Sequence, residues 1–333
     1  MTVRLRDGVE ITLADGPRVV CDADDPDGDV NVVSHAHGDH FYEEPPDEVV
    51  CSALTLALAT ARREDPPGDV PVRVTDDRVR QVPAGHVAGS RATYVEDPVD
   101  GTTYCYTGDC SPRTRAFLAG FDPEPADVLV VESTYGEPDY RFAPQAELEA
   151  DIREALAEAA AERPLLLFGY SLGRAQKLQL LADEAGLDVY ATPAIRRVNE
   201  VIESHREVSF PAAPSRDEGG DPVDLEPGTA LVAPSQASRS NWVERVVDRT
   251  GAVKFGFSGW AVDSSFRFRG GYDDAFVLSD HADFDELLGV VEAVDPERVY
   301  TTHGSTDVFA RHLTERGWDA QSLKRNQSSL GEF

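Results

Sequence analysis

The sequence contains few lysines, cysteines and tryptophans, and it lacks long apolar runs. Among 333 residues there are three lysines, four cysteines and three tryptophans. No run of about 18 apolar residues occurs, which argues against a membrane-spanning helix. The first residues also lack the apolar stretch of a signal peptide. We therefore expect a cytoplasmic protein without a membrane partner, and its 41% of hydrophobic residues suffice for a packed core.

The four cysteines form no C-x-x-C pair, a spacing typical of structural zinc sites and redox motifs. In a cytosolic chain of this size we expect them to be free and partly buried rather than joined in disulfides. Cys110 lies beside Asp109, so a zinc role for it is an alternative, although a space-filling role is favoured.

Positive charge is scarce, and the net charge is -30, from 61 acidic and 31 basic residues. Scattered acid with few lysines is typical of a halophilic protein, because concentrated salt screens the repulsion over a few ångströms. The alternative is an acidic protein that avoids nucleic acid, since phosphate contacts usually depend on Lys and Arg. The arginines that could still contact phosphate locally are Arg174, Arg196, Arg197, Arg239, Arg267 and Arg269.

Short apolar runs recur along the chain and end in small or polar residues, a pattern that predicts buried strands. These runs span residues 19–21, 30–33, 104–106, 128–131, 165–168, 276–278 and 299–300. Helices are predicted over 145–161, 175–185, 284–293 and 306–316, and an acidic surface loop over 209–228. The pattern indicates an α/β fold with its chemistry at the carboxyl ends of strands.

Residues 34–40 read S-H-A-H-G-D-H and follow the apolar run 30–33. Turns favour Gly, Asn, Asp and Pro rather than paired His, so a merely polar turn is the weaker interpretation. Imidazoles and carboxylates are ligands for zinc and similar metals. The string therefore predicts a metal site at a strand exit, with His35, His37, Asp39 and His40 as candidate ligands.

Other candidate ligands also lie at predicted strand ends. They are His86, Asp109, His281 and His303. Each of them alone is more often a satisfied polar residue than a ligand, but together they place six of the eight histidines at strand ends. The remaining two, His205 and His312, lie in predicted helices and are expected on the surface.

Residues 169–173 read G-Y-S-L-G between a predicted strand and a predicted helix. This string is similar to a serine-hydrolase nucleophile elbow, with Asp280 and His303 downstream, but that interpretation leaves the histidine cluster unused. The alternative is a phosphate cradle at a helix N-terminus. It would use the backbone N–H groups from Ser171 to Gly173, with Arg174 beside them.

The order of the candidate residues along the chain resembles the motif pattern of the metallo-β-lactamase superfamily and of its β-CASP nuclease branch. The superfamily pattern consists of Asp22, the H-x-H-x-D-H string that starts at His35, His86 and Asp109. The branch motifs are Glu132 in V-V-E-S-T-Y-G, His281 in S-D-H-A-D and His303 in T-H-G. The strings at 84–90 and 106–111 resemble the RNA 3′-end-cleaving nuclease of the cleavage and polyadenylation machinery. Those at 170–176, 233–235, 257–260 and 277–283 resemble ligase-associated DNA exonucleases.

The resemblance covers nearly the whole chain and implies a four-layer αβ/βα sandwich. Residues 1–136 and 275–333 would form it, and residues 137–274 would be an inserted α/β β-CASP cap over the active-site face. Two Zn²⁺ ions are implied. The implied ligands are His35, His37 and His86 for one ion, Asp39, His40 and His303 for the other, and Asp109 between them. Asp22 would orient these ligands.

The implied activity is zinc-dependent hydrolysis of phosphodiester bonds in single-stranded DNA or RNA, by a hydroxide produced between two metal ions. Asp39 and Asp109 would act through the metals, and His281, held by Glu132, would protonate the leaving sugar oxygen. The products would carry 5′-phosphate and 3′-hydroxyl ends. The implied settings are RNA 3′-end processing or DNA repair, with a DNA ligase, a helicase or an RNA-processing system as partner.

Two other function classes remain alternatives. One is a metal-dependent hydrolase of small esters or thioesters, of the lactonase or glyoxalase II type. The other is a serine-based or catalytically inactive protein. A fixed Glu132–His281 pair distinguishes the nuclease from the first class, because lactonases and thioesterases need no such pair. Zinc analysis would distinguish it from the second, which would hold no stoichiometric metal.

Overall fold

The computed structural model describes residues 2–62, 70–216, 220 and 222–325. The chain separates into two compact units. Unit 1 comprises Met1–Arg141 with His281–Phe333, and unit 2 comprises Phe142–Asp280. The predicted α/β class is confirmed, with several sheets and eight helices among the described residues. None of the helices described there is long and apolar enough to cross a membrane. The assignment of the inserted segment as a β-CASP cap stays a prediction.

Unit 1 contains two larger sheets and a small one. The first sheet consists of β1 Thr2–Leu5, β2 Val9–Thr12, β3 Arg18–Cys21 and β4 Val30–Val32, in that order. The small sheet pairs β5 Glu48–Val49 with β6 Val72–Arg73. The second sheet has the order β18-β17-β10-β9-β8-β7. Its strands are β7 Val79–Pro83, β8 Arg91–Glu96, β9 Thr103–Tyr106, β10 Val128–Ser133, β17 Arg298–Gly304 and β18 Ala320–Ser322. The helices are α1 Ala53–Arg62, α7 Phe284–Val294 and α8 Thr306–Glu315.

The central strand β10 is buried on both faces of its sheet, which explains its continuous apolar sequence. Leu129 and Val131 pack with residues of α7 and α8 on one face. Val130 packs on the other face with residues of the first sheet, such as Ile11 and Val19. The second sheet therefore lies between the first sheet and a helical layer, and the carboxyl end of β10 is held rigidly.

Unit 2 is a parallel sheet with the strand order β13-β12-β14-β11-β15-β16. Its strands are β11 Leu165–Gly169, β12 Asp188–Ala191, β13 Ala213–Pro214, β14 Thr229–Pro234, β15 Val253–Phe257 and β16 Asp274–Phe276. Its helices are α2 Gln145–Ala160, α3 Arg174–Glu184, α4 Pro193–His205, α5 Asn241–Thr250 and α6 Ser265–Gly270. One apolar cluster joins α2, α3 and α4 to the sheet, and a second joins α5 to it.

Some predicted boundaries differ from the observed ones. The strand predicted over 276–278 lies two residues too far along the chain, because β16 spans Asp274–Phe276 and Leu278 donates its N–H to the Ser258 carbonyl outside the ladder. The strand predicted over 299–300 continues to Gly304 and includes His303. The predicted loop 209–228 contains the short strand β13, while its residues 217–219 and 221 lie outside the described residues. His205 is exposed in α4 and His312 is partly exposed in α8.

Truncation of Leu129 tests the importance of β10 for stability. Leu129→Ala should lower the free energy of unfolding by about 2–5 kcal/mol, because the side chain is fully buried and its removal leaves a cavity. Chemical denaturation measures this change. Val99→Ala is the matched control, since Val99 is 62% exposed, and its effect should stay within about 0.5 kcal/mol. Equal effects of the two substitutions would contradict the assignment of Leu129 to the core.

Candidate metal centre

Several candidate ligands lie together because of strand direction. Strand β10 is parallel to both of its neighbours, β9 and β17. The carboxyl ends of these three strands therefore meet at one edge of the sheet. Asp109 follows β9, Glu132 is the penultimate residue of β10, and His303 is the penultimate residue of β17. His35 follows β4 of the other sheet, so both sheets of unit 1 contribute to the site.

His35, His37, His86 and Asp109 bring their ligand atoms to one point. Nε2 of His35 and Nε2 of His86 each lie 3.1 Å from Nδ1 of His37. Oδ2 of Asp109 lies 3.4 Å from the His35 nitrogen and 3.5 Å from the His86 nitrogen. Ligand atoms around a tetrahedral zinc ion, at zinc–nitrogen distances of about 2.0–2.1 Å, lie about 3.4 Å apart. The spacing of this set therefore fits a tetrahedral metal.

The protonation of this set also suits a cation. Burial lowers the pKa of both His35 and His86, which favours the neutral imidazole that binds metals. Burial alone would raise the pKa of Asp109, but the charges of His40 and His281 and the hydrogen bond from His35 hold it well below its ordinary value. The carboxylate is therefore ionised.

Asp22 orients His40. Its Oδ2 lies 2.8 Å from Nδ1 of His40 and accepts a hydrogen bond of 2.8 Å from the Tyr106 hydroxyl, while its Oδ1 accepts the N–H of Ser34. Nε2 of His40 thereby faces Asp109 Oδ2 at 3.4 Å. Burial lowers the pKa of His40, but Asp109 and Asp22 raise it to about 10. The local field thus favours a positive charge at this point, and an aspartate behind a histidine is a common arrangement around metals.

His303 is the extra residue of a β-bulge. Thr302 pairs with Glu132 and Gly304 pairs with Ser133, so His303 is left between them with a φ of 53°. Bulges re-aim a side chain and are common beside active sites. The His303 ring stacks on the His40 ring at a centroid distance of 4.6 Å. The bulge therefore brings a histidine from the far end of the chain next to His40.

Asp39 is less closely associated with the site than the other predicted ligands. Its side chain is 78% exposed, and its Oδ2 lies 4.0 Å from Nε2 of His40. Among the described residues, the groups whose ligand atoms converge include neither Asp39 nor His303. The second metal position consequently stays a prediction, and it is less complete than the first.

Glu132 and His281 form a hydrogen-bonded pair next to these ligands. Nδ1 of His281 lies 3.0 and 3.1 Å from the two Glu132 oxygens and 3.9 Å from Asp109 Oδ2. Glu132 is fully buried, and it also accepts the N–H of Cys110 at 2.7 Å. The carboxylate is thereby fixed, and it fixes the ring of His281.

Residues that the sequence interpretation missed hold His281 and His86 in place. The Arg113 guanidinium donates to the His281 carbonyl and forms an ion pair of 3.0 Å with Glu286. Arg115, which is buried, donates to the His86 carbonyl at 2.8 Å. No local pattern marks these arginines, because their partners lie far away in the chain. One signal was available nearby, since D-x-x-E at 283–286 is typical of a capping box, and the box is present at the start of α7.

Cys110 is unsuited to the zinc role considered for it. All four cysteines are free and buried. Burial and the negative charges of Glu132 and Asp109 raise the pKa of Cys110 well above its ordinary value. A thiol that stays protonated is a poor metal ligand, so the predicted space-filling role is favoured.

In unit 2, the 169–173 loop is held by protein groups. The Gly173 N–H donates to Gln176 Oε1 at 2.8 Å, and Ser171 accepts from the Gln176 amide at 3.0 Å through its carbonyl. Arg174 is buried, with a 3.2 Å ion pair to Asp280. These contacts argue against the predicted phosphate contacts of Gly173 and Arg174, because both donors are engaged inside unit 2. The pairing of Asp280 with Arg174 also disfavours the serine-hydrolase alternative, which requires that carboxylate for a histidine.

Comparison with known proteins reveals several similarities. Residues 275–323 match a family described as a Zn-dependent metallo-hydrolase RNA specificity domain. The chain is 36% identical over 310 residues to a "Probable DNA ligase" of Opitutus terrae, a match that covers 90% of this chain and 29% of that protein. An "RNase J-like protein" of Methanocaldococcus jannaschii is 35% identical over 101 residues, which cover 29% of this chain and 24% of that protein.

Two further similarities extend this result. The "Cleavage and polyadenylation specificity factor subunit 3" of Dictyostelium discoideum is 35% identical over 104 residues, covering 30% of this chain and 13% of that protein. The chain therefore spans less than a third of each of these curated relatives. A crystal structure of a protein of unknown function from Enterococcus faecalis superposes with a TM-score of 0.63 at 12% identity, over 98% of this chain and 97% of the other. That likeness concerns the fold alone.

Proposed function

The chain belongs to the β-CASP branch of the metallo-β-lactamase superfamily, and on that premise we propose that it is a metal-dependent nuclease of single-stranded nucleic acid. The observation that carries the proposal is the Glu132–His281 pair beside Asp109. A thiolate leaves a thioester without first taking up a proton, whereas the sugar oxygen that leaves a phosphodiester is strongly basic and needs a proton. The thioester alternative is therefore less favoured.

The residues that would hold a first metal ion are those whose ligand atoms converge, and a second ion would use less closely grouped residues. His35, His37, His86 and Asp109 suit one ion, and His40, His303 and Asp39 with Asp109 suit a second. Bound there, metal ions would neutralise charge on the phosphate oxygens and acidify water. The donor set, made of imidazoles and carboxylates without thiolates, suits zinc.

His281 is the proposed general acid. Glu132 engages Nδ1, so proton transfer would use Nε2 on the opposite side of the ring. In the reaction, the oxygen of water attacks phosphorus, the water gives up one proton to solvent, and the bond from phosphorus to the 3′ oxygen breaks. The departing oxygen takes the proton from His281, which leaves a 3′-hydroxyl and a 5′-phosphate. The buried Glu132 carboxylate would stabilise the imidazolium before the transfer.

DNA is the substrate that we propose first. The similarity that spans 90% of this chain is to a protein named as a DNA ligase, whereas the relatives named as ribonuclease-like or as a polyadenylation factor match only about 30% of it. A nuclease joined to a ligase would prepare the 5′-phosphate and 3′-hydroxyl ends that ligation consumes. A DNA ligase is accordingly the proposed partner.

Cleavage of labelled single-stranded DNA and RNA of one sequence, each with a free or a blocked 5′ end, tests this function. We expect hydrolysis of DNA to be faster than hydrolysis of RNA, loss of activity on chelation, and its return when Zn²⁺ is added. A blocked 5′ end that stops cleavage would identify an exonuclease. Faster cleavage of RNA would reverse the substrate assignment, and turnover of thioesters with both nucleic acids intact would favour the alternative hydrolase.

A further inference from the structure

Unit 2 contains an arginine-lined groove that the proposed reaction does not use. A cavity of about 830 Å³ lies between α5, the segment around β13, and the ends of β12 and β14. A second cavity of about 240 Å³ adjoins it and shares Pro193, Ser215 and Arg216. The larger cavity lies within the size range of small-ligand sites, about 300–1,000 Å³.

Among the described residues that line the groove, arginines outnumber carboxylates. Its arginines are Arg196, Arg197, Arg216, Arg245 and Arg249. Among the described residues, two carboxylates line it, those of Asp248 and Glu200, and Glu200 pairs with Arg196 at 3.7 Å. In a protein with a net charge of -30, such a group of described arginines favours an anionic ligand.

Arg245 and Arg249 are the two arginines best placed to bind such a ligand. They lie four residues apart on α5, so their side chains leave the same face of the helix. Both are exposed, and no ion pair links either of them to a carboxylate within the described part of the chain. Planar guanidinium groups bind phosphate in bidentate fashion, which makes such a pair a suitable phosphate site.

Part of the cavity lining is apolar and aromatic. Leu225, Leu231 and Trp242 line it and belong to the apolar cluster that packs α5 on the sheet. An indole ring held in this way is a platform on which a nucleobase can stack. Trp242 and Arg245 are three residues apart on α5, so a ligand with an aromatic base and a phosphate could contact both side chains.

We propose that this groove binds a nucleoside phosphate, either as a free mononucleotide or as one nucleotide of a strand. The choice of a nucleoside phosphate over another aromatic anion rests on the proposed nuclease function. The groove lies wholly within unit 2, whereas the metal ligands lie in unit 1, so binding in the groove and hydrolysis can be measured separately.

Calorimetric titration of the metal-loaded protein with dAMP, inorganic phosphate and a phosphorothioate-linked pentadeoxyadenylate tests the proposal. We expect dAMP to bind more tightly than phosphate, because only dAMP contacts Trp242. The double variant Arg245→Ala/Arg249→Ala should weaken dAMP binding about tenfold or more. Arg245 and Arg249 are chosen in preference to Arg216 because the acidic residues Asp217, Glu218 and Asp221 lie next to Arg216 in the sequence. Tighter binding of the pentanucleotide would identify a strand as the source of the ligand, and equal or weaker binding a free nucleotide.

Arg163→Ala/Arg206→Ala is the matched control. It removes two exposed arginines of unit 2 that do not line the groove, and it should leave dAMP affinity unchanged. Trp242→Phe keeps an aromatic ring and should weaken dAMP binding less than Trp242→Ala.

Equal dAMP affinity of the groove variant and the wild type, or equal affinity for phosphate and dAMP, would overturn the proposal. Hydrolysis of bis(p-nitrophenyl) phosphate should be the same in all these variants. If the wild type does not hydrolyse this substrate but binds dAMP in a way that depends on the groove residues, the nuclease function is refuted and the groove assignment stands.

Discussion

Asp109→Ala should release metal from the protein and abolish phosphodiester hydrolysis. The Asp109 carboxylate lies within 3.4–3.5 Å of the ligand nitrogens of three histidines, His35, His40 and His86. Its removal takes away the charge that binds metal cations and leaves these imidazoles to repel one another when protonated. Loss of a residue that merely orients a ligand costs about 10–100-fold in metal affinity or activity, so a shared ligand should cost more than about 100-fold. Elemental analysis and hydrolysis assays measure the two effects.

Asp39→Ala provides the comparison for this variant. Both aspartates are predicted ligands, but Asp39 is largely exposed and approaches only His40, at 4.0 Å. We therefore expect Asp39→Ala to retain the metal held by His35, His37 and His86 and to lose at most the second one. Circular dichroism should show that both variants are folded. Full metal content in Asp109→Ala would exclude Asp109 as a ligand.

His281→Ala should keep the metal content of the wild type and still reduce hydrolysis about 100-fold or more. The ring is hydrogen-bonded to Glu132 through Nδ1 and lies 3.9 Å from Asp109, beside the metal ligands. Without it, the departing 3′ oxygen has to leave as an alkoxide or take its proton from water. A substrate with an acidic leaving group, such as a p-nitrophenyl phosphodiester, needs no proton and should lose much less activity.

The leaving-group comparison separates an acid from a residue that only supports the fold. Glu132→Gln should show the same dependence with a smaller loss, since the amide still holds the ring but no longer stabilises the imidazolium. His205→Ala replaces an exposed histidine of α4 and should behave as the wild type. If His281→Ala loses metal, or loses activity equally on both substrates, His281 is a ligand or a structural residue rather than the acid. Loss of metal would agree with the closeness of His281 to Asp109 and Glu132, because these three residues together could hold a cation.

The local arrangement of the fold was largely predictable, because short-range patterns determine it. The β10 run is apolar at every position since both of its faces are buried, and it was predicted as a strand for that reason. Helix α7 begins at a D-x-x-E capping box that is readable in the sequence. The predicted strand 276–278 ends two residues beyond β16, because Leu278 is buried in the apolar cluster of unit 2 although it lies outside the ladder, and composition alone cannot distinguish these cases.

Strand-end histidines and aspartates predicted a metal centre, but the sequence did not rank them. Asp39 and Asp109 both follow a glycine in polar strings, yet one is exposed and the other is buried among three histidines. The difference arises because β9 and β10 are parallel neighbours, which brings Asp109 to the sheet edge where the histidines converge. The bulge that turns His303 towards His40 likewise depends on the pairing of β17 with β10.

The sequence by itself determined the class of fold, the family and the chemical type of the site, since these depend on residue identity and local spacing. Only the tertiary structure decided which groups act together. Asp22 meets the Tyr106 hydroxyl across 84 residues, and Glu132 meets His281 across 149. Arg174, a predicted phosphate contact, is buried against Asp280, while Arg245 and Arg249 line an open groove. Contacts over such separations are set by chain topology and packing, which no local pattern encodes.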